Sequence, residues 1–125
     1  MKASETKIDR FLATDTTTFA IPVYQRNYDW SEKECQLLFN DIIKIGSSSD
    51  NAHFIGSIVY VHDDVYSATE LNELTIIDGQ QRLTTITLIY SVLYHLLKSL
   101  DDNRCNRIHK AYLINEFAPD ETEKL

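Results

Sequence analysis

The chain has 125 residues, of which 43% are hydrophobic and 25% charged, as expected of one ordinary globular domain spanning residues 1–125. Its formal net charge of −7 argues against a free-standing, non-specific DNA-binding protein, which would carry a basic face to displace counterions. No apolar run approaches the ~20 residues of a membrane span, and the start of the chain lacks a signal-peptide pattern. We therefore expect no membrane association and a cytoplasmic location.

Short apolar patterns predict a helix and a strand in the first 22 residues. Ile8, Phe11 and Leu12 have the i, i+3, i+4 spacing of an amphipathic helix that covers one edge of a core. Residues 19–21 then have the pattern of a short strand. Pro22 ends this strand or confines it to a sheet edge, because proline cannot donate a ladder hydrogen bond.

Residues 23–30 combine aromatic, amide and basic side chains without a helical period. Aromatic faces beside a guanidinium and amides, as in Tyr24, Gln25 and Arg26, are what a base-stacking or nucleotide-reading site needs. The alternative is a rigid aromatic loop that plugs the core. We favour this alternative for Trp30, the last residue of the segment.

A second helix and a second strand follow. Ser31 and Glu34 have the spacing of a capping box, and the apolar residues behind them predict a helix that is buried on one broad face and ends near Gly46. Residues 53–61 carry the strongest strand pattern in the chain. Gly56 within it indicates a bulge or a close approach by another group.

Potential metal ligands occur, but they do not form a set. His62, Asp63 and Asp64 lie together, yet no second cluster completes a coordination shell, so a solvated turn is favoured. Cys35 and Cys105 form neither a CxxC motif nor a Cys/His pair with metal-ligand spacing. We expect no resident protein metal site and two incidental thiols.

The second half of the chain is dominated by one long helix. Residues 73–78 predict a strand that pairs with the preceding one, and the three- and four-residue spacing of apolar side chains in residues 83–100 predicts a helix. Residues 108–117 predict a second amphipathic segment, and residues 120–125 are mostly polar and expected to fray.

The join between this strand and this helix places polar and small residues between two buried elements. Gly79 permits a backbone geometry that other residues resist. The first turn of the helix offers unpaired N–H groups at the positive end of the helix dipole, and Arg82 adds a planar cation that matches phosphate oxygens. The sequence therefore predicts a phosphate-binding turn. The alternative is that Asp78 is the N-cap of a core helix and Arg82 a solvated side chain.

Three segments of the chain together resemble a known family. Residues 21–30 read I-P-V-Y-Q-R-N-Y-D-W, residues 54–59 read F-I-G-S-I-V, and residues 77–85 read I-D-G-Q-Q-R-L-T-T. The set resembles the N-terminal domain of GmrSD-type proteins, which are modification-dependent restriction and phage-defence proteins of bacteria and archaea. The resemblance covers roughly residues 7–117. It implies an α+β, ParB/sulfiredoxin-like fold, with a small mixed or antiparallel sheet packed with several helices.

The resemblance also implies site residues, because relatives bind and hydrolyse nucleoside triphosphates through the D-G-Q-Q-R motif. The catalytic set would be Asp78, Gln80, Gln81 and Arg82, and the nucleotide-binding set Gly79, Gln80, Gln81, Arg82 and Thr84. Arg82 would interact with the negative charge of the phosphates. Either Gln80 or Gln81 would orient the attacking water or hydrogen-bond the nucleotide, and the resemblance does not decide between them. Asp78 would be metal-linked or would fix the turn. The ligand implied is a nucleoside triphosphate with Mg²⁺.

The resemblance further implies partners in a longer protein. In some relatives the segment matching Tyr24, Gln25 and Arg26 helps to sense modified DNA. Family members continue into a helical and HNH-nuclease part, which would act in cis and which this chain does not contain, so we expect no nuclease activity from it. The function expected is an NTP-binding and NTP-hydrolysing regulatory domain of a modification-dependent restriction system. The alternative is a modified-DNA-sensing module without NTPase activity of its own.

Overall fold

A computed structural model gives the arrangement of most of the chain. It describes residues 6–13, 17–22, 27–47, 56–62, 72–114 and 123–125. Within these residues the α-helices are α1 (Ile8–Leu12), α2 (Glu32–Ser47), α3 (Gln80–Ser99) and α4 (Arg104–Ile108), with a π-helical segment at His109–Leu113. The strands are β1 (Thr17–Ala20), β2 (Val59–His62) and β3 (Asn72–Asp78).

The three strands of the described residues form one mixed sheet in the order β1-β3-β2. β1 runs parallel to β3, and β2 runs antiparallel to it, with an irregularity in the register between Val59 and Tyr60. The central position of β3 buries Ile76 completely. The predicted α+β class with a small mixed sheet is thus confirmed, while the ParB-like relationship stays a prediction.

The core lies where α3 crosses the sheet. Its buried apolar side chains come from α1, β1, α2, β3 and the first turns of α3: Leu12, Phe19, Leu38, Ile76, Leu83 and Ile86. Because β3 and the first turns of α3 are adjacent in sequence and both supply core residues, the turn between them is held from both sides. This arrangement fixes the position of the D-G-Q-Q-R residues.

The last residues of the chain belong to the fold, so the expected fraying is wrong for residues 123–125. The amide of Phe19 donates a hydrogen bond to the carbonyl of Lys124 at 2.6 Å, and the Lys124 amide donates to the Leu113 carbonyl at 3.0 Å. The Lys124 side chain is buried, and its Nζ donates to the Leu12 carbonyl at 2.7 Å. These backbone contacts tie down a segment whose polar composition alone predicts mobility.

The predicted broad buried face of α2 is also wrong. In this helix Leu38 is buried, whereas Leu37, Phe39 and Ile43 are exposed. The periodicity of apolar residues predicted the helix correctly, but no described element covers its remaining apolar side chains. The capping box is confirmed in part, because the Ser31 amide and hydroxyl both donate to the Glu34 carboxylate, which lowers the pKa of Glu34.

The strand predicted at residues 53–61 begins only at Val59. Residues 53–55 lie outside the described part, as do Asp63 and Asp64, and residues 56–58 have no strand geometry. Instead, residues 56–58 pack against the turn that precedes α3. The close approach predicted at Gly56 is confirmed, and the approaching group is the Arg82 side chain. Cys35 and Cys105 are free thiols.

A search of the described helices for membrane-spanning segments finds none with sufficient length and hydropathy.

The burial of Leu83 predicts a large loss of stability on truncation. Leu83 is fully buried, whereas Leu96 on the same helix is 54% exposed. Leu83→Ala should lower the free energy of unfolding by about 2–5 kcal/mol, because it removes buried methyl groups and leaves a cavity. Leu96→Ala, the matched control, should change it by less than about 1 kcal/mol. Urea unfolding measures both. Equal effects of the two substitutions would contradict the packing described.

Candidate functional site

The site is built on a left-handed turn between β3 and α3. Gly79 has φ 93° and ψ 10° and is the N-cap residue of α3, with no side-chain hydrogen bond capping the helix. Asp78 Oδ1 accepts a hydrogen bond from the Gly79 amide at 2.9 Å. Asp78 therefore fixes the turn itself, and the alternative in which it is the N-cap of α3 is wrong.

Only glycine suits this position, for two independent reasons. A φ of 93° is strained for any residue with a Cβ atom. A Cβ at Gly79 would also lie 2.9 Å from the Ser57 carbonyl oxygen and 3.1 Å from the Ile58 Cα. The turn thus packs directly on the backbone of the segment that leads into β2.

The first turn of α3 leaves its amide groups available. Gln80, Gln81 and Arg82 are the first residues of the helix, so their N–H groups have no intrahelical acceptor. This turn contains no acidic residue and no side chain caps it, and the Asp78 carboxylate lies just before it, where it accepts from the Gly79 amide. The N–H groups of residues 80–82 therefore stay available to an anion.

Arg82 adds a positive charge that is held in place but not neutralised. One terminal nitrogen, Nη2, donates to the Ser57 carbonyl at 2.7 Å, and the guanidinium lies against Gly56, where a Cβ would be 2.6 Å from Cζ. Arg82 Nε is buried and has no hydrogen-bond partner among the described residues. No carboxylate of the described residues forms an ion pair with Arg82. The alternative of a solvated side chain on the outer face is therefore wrong.

The two glutamines of the motif have different environments. Gln81 is 5% exposed, and its amide is used at both ends: Nε2 donates to the Asn27 carbonyl at 3.1 Å, and Oε1 accepts from the Asp29 amide at 3.2 Å. Gln80 is 7% exposed, and within the described residues its side-chain amide has no hydrogen-bond partner. The Gln80 amide atoms are not among the buried side-chain atoms that lack a partner, so they are open to water or to a ligand.

A small pocket of about 80 Å³ opens at this turn. The side chains and backbone that line it are those of Trp30, Asp78, Gly79, Gln80, Gln81 and Arg82. The structure therefore brings together five of the residues predicted for the nucleotide site. Thr84, the sixth, lies half-buried on α3 and does not line the pocket. Tyr24, Gln25 and Arg26 lie outside the described residues.

The contribution of Trp30 to the pocket was not predicted from the sequence. Trp30 packs on the core, as predicted, and it also forms one wall of the pocket. The Tyr28 hydroxyl lies 2.9 Å from Thr85 Oγ1 and 3.2 Å from Cys35 Sγ. The hydrogen bond with Cys35 raises the pKa of Tyr28 above its ordinary value. The mixture of aromatic and amide residues in this segment is the sequence feature that could have indicated its place at the pocket.

Fold and site together define a small α+β domain with a small polar pocket at a strand–helix turn. The described residues contain no group of three or more His, Cys, Asp or Glu side chains that could hold a metal ion. The sequence model of the GmrSD restriction endonuclease N-terminal domain matches residues 8–125, and the chain belongs to this family. The family assigns it to a restriction system and so to phage defence. A comparison with curated proteins gives no match.

The contacts of the turn predict that one glycine cannot be replaced while another can. Gly79→Ala should lower the free energy of unfolding by about 1–3 kcal/mol, because it strains the backbone and crowds Ser57. Gly46, near the end of α2, has nothing within 4 Å of a built Cβ. Gly46→Ala should leave the stability unchanged or raise it by up to about 1 kcal/mol. Thermal unfolding of both variants checks this, and a neutral Gly79→Ala would contradict the turn geometry.

Proposed function

We propose that this domain binds the phosphates of a nucleoside triphosphate at the turn before α3 and hydrolyses the nucleotide as a regulatory step of a restriction system. The observation that carries the proposal is the unneutralised cluster of donors. Arg82, buried at Nε without a partner, lies beside the uncapped amides of the first turn of α3. Holding a cation and free donors in a half-buried site costs folding free energy unless an anion completes them.

The size of the pocket indicates which part of the ligand enters it. At about 80 Å³ it is much smaller than the ~300–1,000 Å³ typical of pockets that enclose a whole small molecule. A phosphate group is the part of a nucleotide that matches the donors present. The sugar and base would then lie outside this pocket, so the pocket itself selects for phosphate and not for a particular base.

In the proposed hydrolysis, water attacks the γ-phosphorus, and the bond between this phosphorus and the β–γ bridging oxygen breaks, giving the nucleoside diphosphate, inorganic phosphate and a proton that passes to solvent. Arg82 stabilises the charge that develops on the phosphoryl oxygens. Gln80 is the better candidate for orienting the water, because it lines the pocket and its side-chain amide has no partner among the described residues, whereas the Gln81 amide is occupied.

Asp78 is the residue that would hold a magnesium ion in this proposal. Asp78 is one of the residues that line the pocket, and the one hydrogen bond that its carboxylate accepts from the described residues goes to Oδ1. A hard carboxylate oxygen that shares the ion with phosphate oxygens is the usual protein contribution to magnesium binding at nucleotides. When bound, the ion would neutralise part of the phosphate charge.

A second candidate function is recognition of modified DNA through Tyr24, Gln25 and Arg26. It is supported by the membership in a restriction endonuclease family and by the attachment of the next residues of the chain, 27–29, to the pocket helix. In the longer protein, this domain would then act on a nuclease domain in cis. With a net charge of −7, binding to DNA should be local and should weaken with salt by a shallow slope.

The proposal predicts triphosphate binding that depends on Arg82. ATP, GTP, CTP, UTP and inorganic tripolyphosphate, each with magnesium, would be screened by thermal shift and calorimetry. A ligand at about 100 times its dissociation constant should stabilise the fold by ~2.7 kcal/mol. Arg82→Ala should weaken binding by about ten- to a hundredfold, because it removes charge-assisted hydrogen bonds.

Two variants sharpen this experiment. Arg107→Ala removes the same charge from an exposed position on α4 and should bind as the parent does. Gly56→Ala keeps Arg82 but displaces its guanidinium, so it should also weaken binding. The proposal fails if a folded parent binds no triphosphate, or if Arg82→Ala and Arg107→Ala bind equally well.

A further inference from the structure

A short segment of the chain is hydrogen-bonded to the start of α3. Residues 27–30, which we name the strap, have no helix or strand geometry. The Gln81 amide holds two backbone groups of the strap, the Asn27 carbonyl at 3.1 Å and the Asp29 amide at 3.2 Å. Because one contact needs a donor and the other an acceptor, the orientation of the Gln81 amide is fixed.

A second hydrogen bond joins the strap to α3 one turn further along the helix. The Tyr28 hydroxyl hydrogen-bonds Thr85 Oγ1 at 2.9 Å, and Thr85 Oγ1 donates to the Gln81 carbonyl at 2.8 Å. The strap is thus connected to the first two turns of the helix that supplies the pocket amides. Its last residue, Trp30, is a wall of the pocket.

We propose that Gln81 is a positioning residue, whose side chain acts on the pocket by holding the strap and not by touching the ligand. This inference rests on the proposed phosphate site. Both ends of the Gln81 amide are occupied by backbone groups, so it would have to release the strap before it could bind a ligand. Because Trp30, the last residue of the strap, also forms a wall of the pocket, a ligand that contacts Trp30 stabilises the strap, and the attached strap in turn favours binding of that ligand.

The neighbouring glutamine provides the contrast. Gln80 and Gln81 are adjacent, equally buried and chemically identical, and both line the pocket. Only Gln81 is hydrogen-bonded to the strap in the described structure. The pair therefore divides into a ligand-facing amide and a strap-holding amide, and substitutions at the two positions should have separable effects.

The first test measures the strap without any ligand. Hydrogen exchange of the Asp29 amide, followed by NMR, should be about tenfold faster in Gln81→Leu than in the parent, because two hydrogen bonds that hold the strap are lost. Gln80→Leu should leave this exchange rate unchanged. An unchanged rate in Gln81→Leu would overturn the inference, whether or not the domain binds nucleotides.

The second test uses Trp30, which is the only tryptophan of the chain. Addition of magnesium tripolyphosphate should change its fluorescence and slow exchange of the Asp29 amide in the parent. In Gln81→Leu the slowing should disappear, while any remaining binding still depends on Arg82. If tripolyphosphate binds at Arg82 but neither signal at the strap changes, the proposed function stands and the linkage to the strap is refuted.

A third variant, Gln81→Glu, tests the same inference if Gln81→Leu does not fold. In Gln81→Glu the ionised carboxylate still accepts from the Asp29 amide but cannot donate to the Asn27 carbonyl, whereas the protonated carboxyl group does both. Trp30 fluorescence and Asp29 exchange should therefore approach the parent values as the pH falls through the pKa of the introduced group. A parallel titration of the parent shows which part of the change comes from groups that both proteins share, such as Asp29 and Asp78. A Gln81→Glu profile identical to the parent's would contradict the positioning role.

Discussion

Gly79, at φ 93°, turns the chain from the central strand into the longest helix, and the other features of the site depend on this geometry. The turn directs three uncapped amides and the Arg82 side chain towards one small pocket, and it packs on the carbonyl of Ser57. The same carbonyl accepts a hydrogen bond from Arg82. A change at Gly79 would therefore disturb the turn and the position of the cation together.

Much of the fold could be predicted from the sequence, because periodicity is a local property. The helix at residues 83–100 and the strand at residues 73–78 were predicted close to their observed bounds. What failed depends on distant parts of the chain. The burial of α2 depends on which elements cover it, and the burial of Lys124 depends on contacts with Leu12, far away in the sequence.

The features of the candidate site likewise divide into those that follow from local sequence and those that depend on distant parts of the chain. The requirement for glycine at position 79 and the role of Arg82 as a cation at the turn follow from the conformational and charge properties of these residues. The different hydrogen bonding of Gln80 and Gln81 could not be predicted, because it depends on a backbone segment that is 52 to 54 positions away from Gln81. Trp30 has a double role as core residue and pocket wall for the same reason.

Binding of phosphate at the turn before α3 can be observed directly in an NMR titration of the parent with magnesium tripolyphosphate, in which backbone amide shifts are followed residue by residue. The largest shifts should occur at residues 79–82 and at the Trp30 indole, and they should saturate together. Saturable shifts confined to exposed basic residues such as Arg104 and Arg107, with residues 79–82 unchanged, would rule out the proposed phosphate site.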